Sequence, residues 1–110
     1  LVENFVASHL LKAVHFWNDI GLGDYDLYFI RDLQRREVDF LITKEEEPWI
    51  LIEAKNSGKA ISKNLLHFHE ALGIRYAFQL ALEKKPVEKN ALLARKPAII
   101  PAISFLSQLI

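Results

Sequence analysis

Glu37-Val38-Asp39-Phe40-Leu41-Ile42-Thr43-Lys44-Glu45-Glu46-Glu47-Pro48-Trp49-Ile50-Leu51-Ile52-Glu53-Ala54-Lys55 reads as a β-hairpin. Glu37 to Thr43 alternates and is rich in strand formers. Lys44 to Pro48 is a charged loop closed by proline, and Trp49 to Lys55 is the return strand. Pairing symmetric about Glu46 sets Asp39 opposite Glu53, Glu37 opposite Lys55 and Leu41 opposite Leu51. Side chains alternate between the two faces of such a hairpin. Val38, Phe40 and Ile42 with Ile50, Ile52 and Ala54 then make one wholly apolar face, which must pack on a core. The other face is apolar only near the loop, at Leu41 and Leu51. At its far end it carries Glu37, Asp39, Glu53 and Lys55.

Two carboxylates opposed across a hairpin repel each other, so they share either a proton or a cation. A hard cation such as Mg²⁺ or Mn²⁺ takes carboxylate oxygens, a carbonyl and waters. Asp39 and Glu53 supply the carboxylates in that reading, and the Ala54 carbonyl a third ligand. Lys55, on the face of Glu53, orients an attacking water whose pKa the metal lowers. The bland alternative is a surface cluster in which Lys55 pairs with Glu37 or Glu53. The residues alone leave both open.

The rest of the chain supplies layers for this hairpin. Val2, Phe5, Val6, Leu10, Ala13, Val14 and Trp17 recur at helical steps, predicting an amphipathic helix to about Asp19, stopped before Gly21. Glu3 borders its buried stripe, a place for a partly buried carboxylate or for an ordinary helix N-terminal acid. Gly21 to Gly23 is a turn, Asp26 to Arg31 a strand, and Asp32 to Arg35 a polar turn. Ser62 caps a helix through Leu72, ended at Gly73. Ile74 to Leu82 alternates as a strand with one strongly apolar face. Glu83 to Asn90 reads as a charged loop, Ala98 to Ile100 as a last short strand, and Ile103 to Ile110 as a terminal helix. The order is αβββαβ, then a short strand and a helix, an α/β pattern.

Composition narrows the function. The 110 residues fit one domain, 1–110, with 51% hydrophobic residues for a core. Fourteen basic residues balance fourteen acidic ones, which weighs against a free-standing nucleic-acid binder held by charge alone. The chain has no cysteine, so disulfides and zinc–thiolate sites are excluded, in keeping with a cytoplasmic location. Its longest apolar stretch, Ala98 to Ile110, is too short to span a bilayer, and no signal peptide is visible. The chain begins at Leu1 and has no methionine, so a fragment of a longer protein is expected.

Asp39, thirteen residues, then Glu53-Ala54-Lys55, on two strands after a helix bearing Glu3, resembles the PD-(D/E)XK nuclease motif, with Val38 in place of its proline. The wider run resembles one family more closely. It consists of Leu1 to Ala7, Leu27 to Asp32, Arg36 to Leu41 and Ile52 to Lys55. The family is the C-terminal domain of unknown function that follows an AAA+-type ATPase domain in bacterial and archaeal proteins. The resemblance covers Leu1 to about Leu82. It implies an α/β restriction-endonuclease-like (PD-(D/E)XK) sandwich, a mixed central sheet flanked by helices, with the first helix on one side and the Ser62–Leu72 helix packed against it. It also implies a metal site of Glu3, Asp39 and Glu53, with Lys55 as the catalytic lysine, and an upstream ATPase domain. No phosphate-binding loop occurs in these residues.

The expected function is a Mg²⁺- or Mn²⁺-dependent phosphodiesterase acting on DNA. The alternative is a non-catalytic module docking nucleic acid or protein onto the ATPase domain, and a structural dimerisation domain comes third. The expected partners are DNA and that ATPase domain, with a homo-oligomer left open and no membrane. Arg31, Arg35 and Arg36 are candidates for phosphate contacts, although at least two are expected to be solvated. Gln79 and Ser57 are weaker candidates. His67 and His69 point in different directions and make a poor metal pair, and His9 and His15 carry no signal. Trp17 and Trp49 belong to the core rather than to base-stacking platforms. The Glu45-Glu46-Glu47 tip repels nucleic acid, so substrate approaches the hairpin from its other end.

Overall fold

The computed structural model describes residues 2–55, 60–82 and 96–109, the side chains from residue 4 onward. Its elements follow the expected order: α1 (Val2–Asp19), β1 (Tyr25–Arg31), β2 (Glu37–Lys44), β3 (Glu47–Lys55), α2 (Lys63–Leu72), β4 (Tyr76–Ala81), β5 (Ala98–Pro101) and α3 (Ala102–Leu106). The strands form one five-stranded sheet in the order β1-β2-β3-β4-β5. β1, β2 and β3 run antiparallel, whereas β3, β4 and β5 run parallel, so the sheet is mixed. A parallel pair needs a crossover, and α2 supplies it between β3 and β4.

Helices cover both faces. Val6, Leu10, Ala13, Val14 and Trp17 of α1 pack with Phe105 of α3 on Phe40, Ile42, Ile50, Ile52, Phe78 and Leu80. Leu65 and Phe68 of α2 pack on the opposite face, against Val38, Leu41, Leu51 and Ala77. α1 stops in a Schellman motif: Gly21 takes a positive φ, Gly21 N donates to Asn18 O, and Leu22 N donates to Trp17 O. At α2, Ser62 Oγ accepts from Leu65 N and Gly73 takes the left-handed conformation, as its sequence predicts. Trp17 is buried and Trp49 half-buried, in an aromatic cluster with Tyr25 and Tyr76. Among the described residues no helix is long and apolar enough to cross a membrane.

The hairpin differs from expectation in three places. Its connection is a two-residue turn at Glu45-Glu46, not a five-residue loop, and both residues have positive φ, as in a type I′ turn. An irregularity between Ile42 and Thr43 absorbs the difference, so the expected register survives at Leu41↔Leu51 and Phe40↔Ile52. Second, from Tyr28↔Leu41 to Ile30↔Val38, β1 advances two residues while β2 advances three. That bulge reverses the alternation, and Val38 joins Leu41 on the α2 face instead of Phe40 on the α1 face. Third, Glu37 is aligned with Arg31 of β1 and not with Lys55. At the other end of the chain, α3 gives way to i→i+3 bonds at Gln108 and Leu109, well short of the predicted helix end.

Glutamate disfavours the left-handed conformation that Glu46 holds. Glu46→Gly is therefore expected to stabilise the protein by about 0.5–1 kcal/mol in urea unfolding, part of the relief being lost to glycine's greater unfolded-state freedom.

Candidate metal centre

The hairpin positions the site through the place where its pairing ends. Among the described residues β2 and β3 pair from Lys44↔Glu47 to Phe40↔Ile52. One step further, Ala54 N donates to Asp39 Oδ2 at 2.8 Å, where a continuing ladder would have used a backbone carbonyl. The Asp39 carboxylate is thereby held beside the Glu53-Ala54-Lys55 segment, and the two strands part around it.

Glu53 is the least comfortable group in this arrangement. It is only 6% exposed, between two other strands of the sheet. Its Oε1 lies 3.8 Å from Lys55 Nζ, an ion pair too long for a hydrogen bond. Its Oε2 is buried and meets no hydrogen-bond partner among the described residues. A buried carboxylate with an unsatisfied oxygen is costly. A hard cation bound at that oxygen would remove the cost, so the donor set fits Mg²⁺ or Mn²⁺, with water completing the shell. Among the described residues no three His, Asp, Glu or Cys side chains gather in one place. Glu3 lies in the first turn of α1, but its side chain is outside the described residues, as is Ser57.

Glu53 is in register with Gln79 on the parallel strand β4. Gln79 is 1% exposed and fully engaged: its Oε1 accepts from Ser62 N at 2.8 Å and its Nε2 donates to Ala60 O at 2.7 Å. It pins the chain entering α2 beside the carboxylate. Its position in the apolar run of β4 was the available signal, although the sequence favours a merely covered polar residue there.

The arginines divide. Arg31 pairs with Glu37 at 3.1 Å, both exposed. Arg36 Nε donates to Asp32 Oδ2 at 2.7 Å, and Asp32 Oδ1 accepts from the backbone N of Gln34 and of Arg36. His67 of α2 lies against the same pair, its Nδ1 3.4 Å from Arg36 Nη1 and its Nε2 4.0 Å from Asp32 Oδ2. Arg35 has φ +63°, and its N–H donates to Asp32 O within the turn. Asp32 thus organises the β1–β2 turn and ties it to α2, which the sequence reading missed. An aspartate followed four residues later by arginine at a turn was the available signal. Beside this turn, Phe29, Ile30, Arg31, Glu37, Val38 and Asp39 line a cleft of about 280 Å³.

Partial burial pushes the Asp32 carboxyl up, but the Arg36 amide and guanidinium and the Gln34 amide outweigh it and hold it below the usual carboxylate range. Stability from this group is therefore full above the unfolded-state pKa of about 4 and is lost as pH falls through the lower folded value. A carboxyl NMR titration should find Asp32 below its ordinary pKa, and Asp32→Asn should remove that part of the acid dependence of unfolding. Gln79→Leu leaves the Ser62 amide without its acceptor and is expected to cost about 1–3 kcal/mol in urea unfolding.

The searches of curated proteins and of solved structures found no match. The model of the family described as Domain of unknown function (DUF4143) matches residues 1–101. With nearly its whole length matched, the chain belongs to that family of domains of unknown function (DUF4143).

Proposed function

We propose that this domain is a Mg²⁺- or Mn²⁺-dependent nuclease that hydrolyses DNA phosphodiester bonds on a restriction-endonuclease-like, PD-(D/E)XK core, as the C-terminal part of an AAA+-type ATPase chain. The observation that carries the proposal is Glu53: a buried carboxylate with an oxygen lacking a partner, an ammonium two residues on, and a second carboxylate held at the intervening amide. The αβββαβ order, the mixed sheet and the ordered Glu3, Asp39, Glu53 and Lys55 support the core assignment.

A bound cation supplies acidified water and screens charge building on the phosphate. The chain's own residues do the rest. Glu53 and Asp39 would hold the cation, the Asp39 carboxylate already lying at the Ala54 amide beside Glu53. Lys55, exposed at the end of its strand, donates to the attacking water and stabilises its deprotonated form. Gln79 keeps the start of α2 in place beside Glu53, and Glu3 is the remaining candidate ligand. The acidic Glu45-Glu46 turn lies at the far end of β2 and β3, so substrate enters at the open end.

A second reading is a non-catalytic module that docks nucleic acid or protein onto the ATPase domain. It draws on Asp39, whose Oδ2 is already bound to the Ala54 amide.

The test combines stability and cleavage. Saturating Mn²⁺, at about one hundred times its Kd, is expected to stabilise the protein by about 2.7 kcal/mol. Glu53→Gln, which keeps the shape of the side chain but removes the charged donor, should abolish that gain. Lys55→Ala should abolish cutting of DNA while leaving stability within about 0.5 kcal/mol. Metal stabilisation without cutting by the wild type would favour the docking module, and the absence of both would sink the metal site.

A further inference from the structure

Phe29 is the aromatic residue this site has not used. It lies on the edge strand β1 and is 78% exposed. One side of its ring leans on Phe40, with centroids 5.8 Å apart and planes at 30°. It is also the residue shared by two adjoining clefts. One is the 280 Å³ cleft that contains Asp39 and Arg31. The other, of about 330 Å³, lies between α1 and β1 and is lined by Ala7, Leu11, Leu27 and Tyr28 among others. Exposed Leu11, Tyr28 and Phe29 line this second cleft together, so Phe29 belongs to a contiguous apolar surface, and such a surface beside a polar cleft marks a contact for something else.

We infer that Phe29 is a stacking platform for an unpaired base, so that the substrate class of the site is single-stranded nucleic acid. The inference rests on the nuclease reading for what the neighbouring carboxylates do, but its geometry is independent of them. A base has a free π-face only when it is unstacked, because in a duplex its neighbours cover it.

Arg31 sits in the same cleft, in a surface ion pair with Glu37, and such pairs exchange cheaply for a phosphate. Charge points the same way. With fourteen basic and fourteen acidic residues the chain has no general electrostatic hold on a duplex, so stacking has to supply the grip. A base on Phe29 lays its strand along the cleft toward Asp39.

The test uses this protein in EDTA, with fluorescence anisotropy of a labelled oligothymidylate and of the same strand annealed to oligodeoxyadenylate. The wild type should prefer the single strand. Phe29→Ala, and Phe29→Leu, which keeps apolar bulk but has no π-face, should weaken single-strand binding about tenfold or more, the loss of one base stack. Phe29→Trp should restore it, and Leu33→Ala, which removes an even more exposed apolar side chain outside the cleft, should change nothing.

Equal binding of both forms, no binding of either, or unchanged affinity in Phe29→Leu would overturn the inference. The two proposals separate cleanly. Lys55-dependent cutting with Phe29-independent binding removes the platform and leaves the nuclease. Phe29-dependent binding by a protein that never cuts removes the nuclease and leaves the platform.

Discussion

Strand β3 is buried on both faces from Ile50 to Ala54, and the rest of the molecule is arranged to cover it. Strands β2 and β4 satisfy its backbone on either side, one antiparallel and one parallel. α1 closes over Ile50 and Ile52, and α2 over Leu51. Glu53 lies inside this buried run, before core Ala54 and the exposed Lys55, so its carboxylate is covered without being fully satisfied.

Two departures from regular pairing shape this end of the sheet. The β2 bulge opposite Phe29 turns Val38 toward α2 and interrupts the β2–β3 ladder, so that the Asp39 side chain, not a backbone carbonyl, meets the Ala54 amide. The same irregularity leaves Phe29 and Arg31 beside Asp39 in one cleft. A regular hairpin would have continued the ladder to Glu37 and Lys55 and closed the site. Bulges recur next to functional sites because they re-aim one side chain at little cost elsewhere.

The polar supports around the site are as specific as its carboxylates. Gln79 reaches across from β4 to hold Ala60 and Ser62. Asp32 gathers the β1–β2 turn and, through Arg36 and His67, fastens it to α2. Each replaces water at backbone groups that would otherwise be exposed or unpaired, and together they fix the two segments that approach the open end of the hairpin.

The element order, the mixed α/β class, the caps at Ser62 and Gly73 and the register at Leu41↔Leu51 were all legible in the chain. Each depends on local chemistry: a period of two or of 3.6, a side chain that caps, a glycine with free φ. The expected membership of a family of domains of unknown function was legible for the same reason, in runs of adjacent residues. The two-residue turn was not, because Glu-Glu is a poor turn sequence and the strands extend through it only by pairing with each other. Nor was the bulge that moves Val38, since alternation assumes that no residue is left over and only the partner strand shows that one is. The sequence by itself determined which residues carry charge at the end of the hairpin. The tertiary structure decided which of those charges are buried, paired or left with an unmet oxygen, because burial and partnership belong to neighbours distant in the chain.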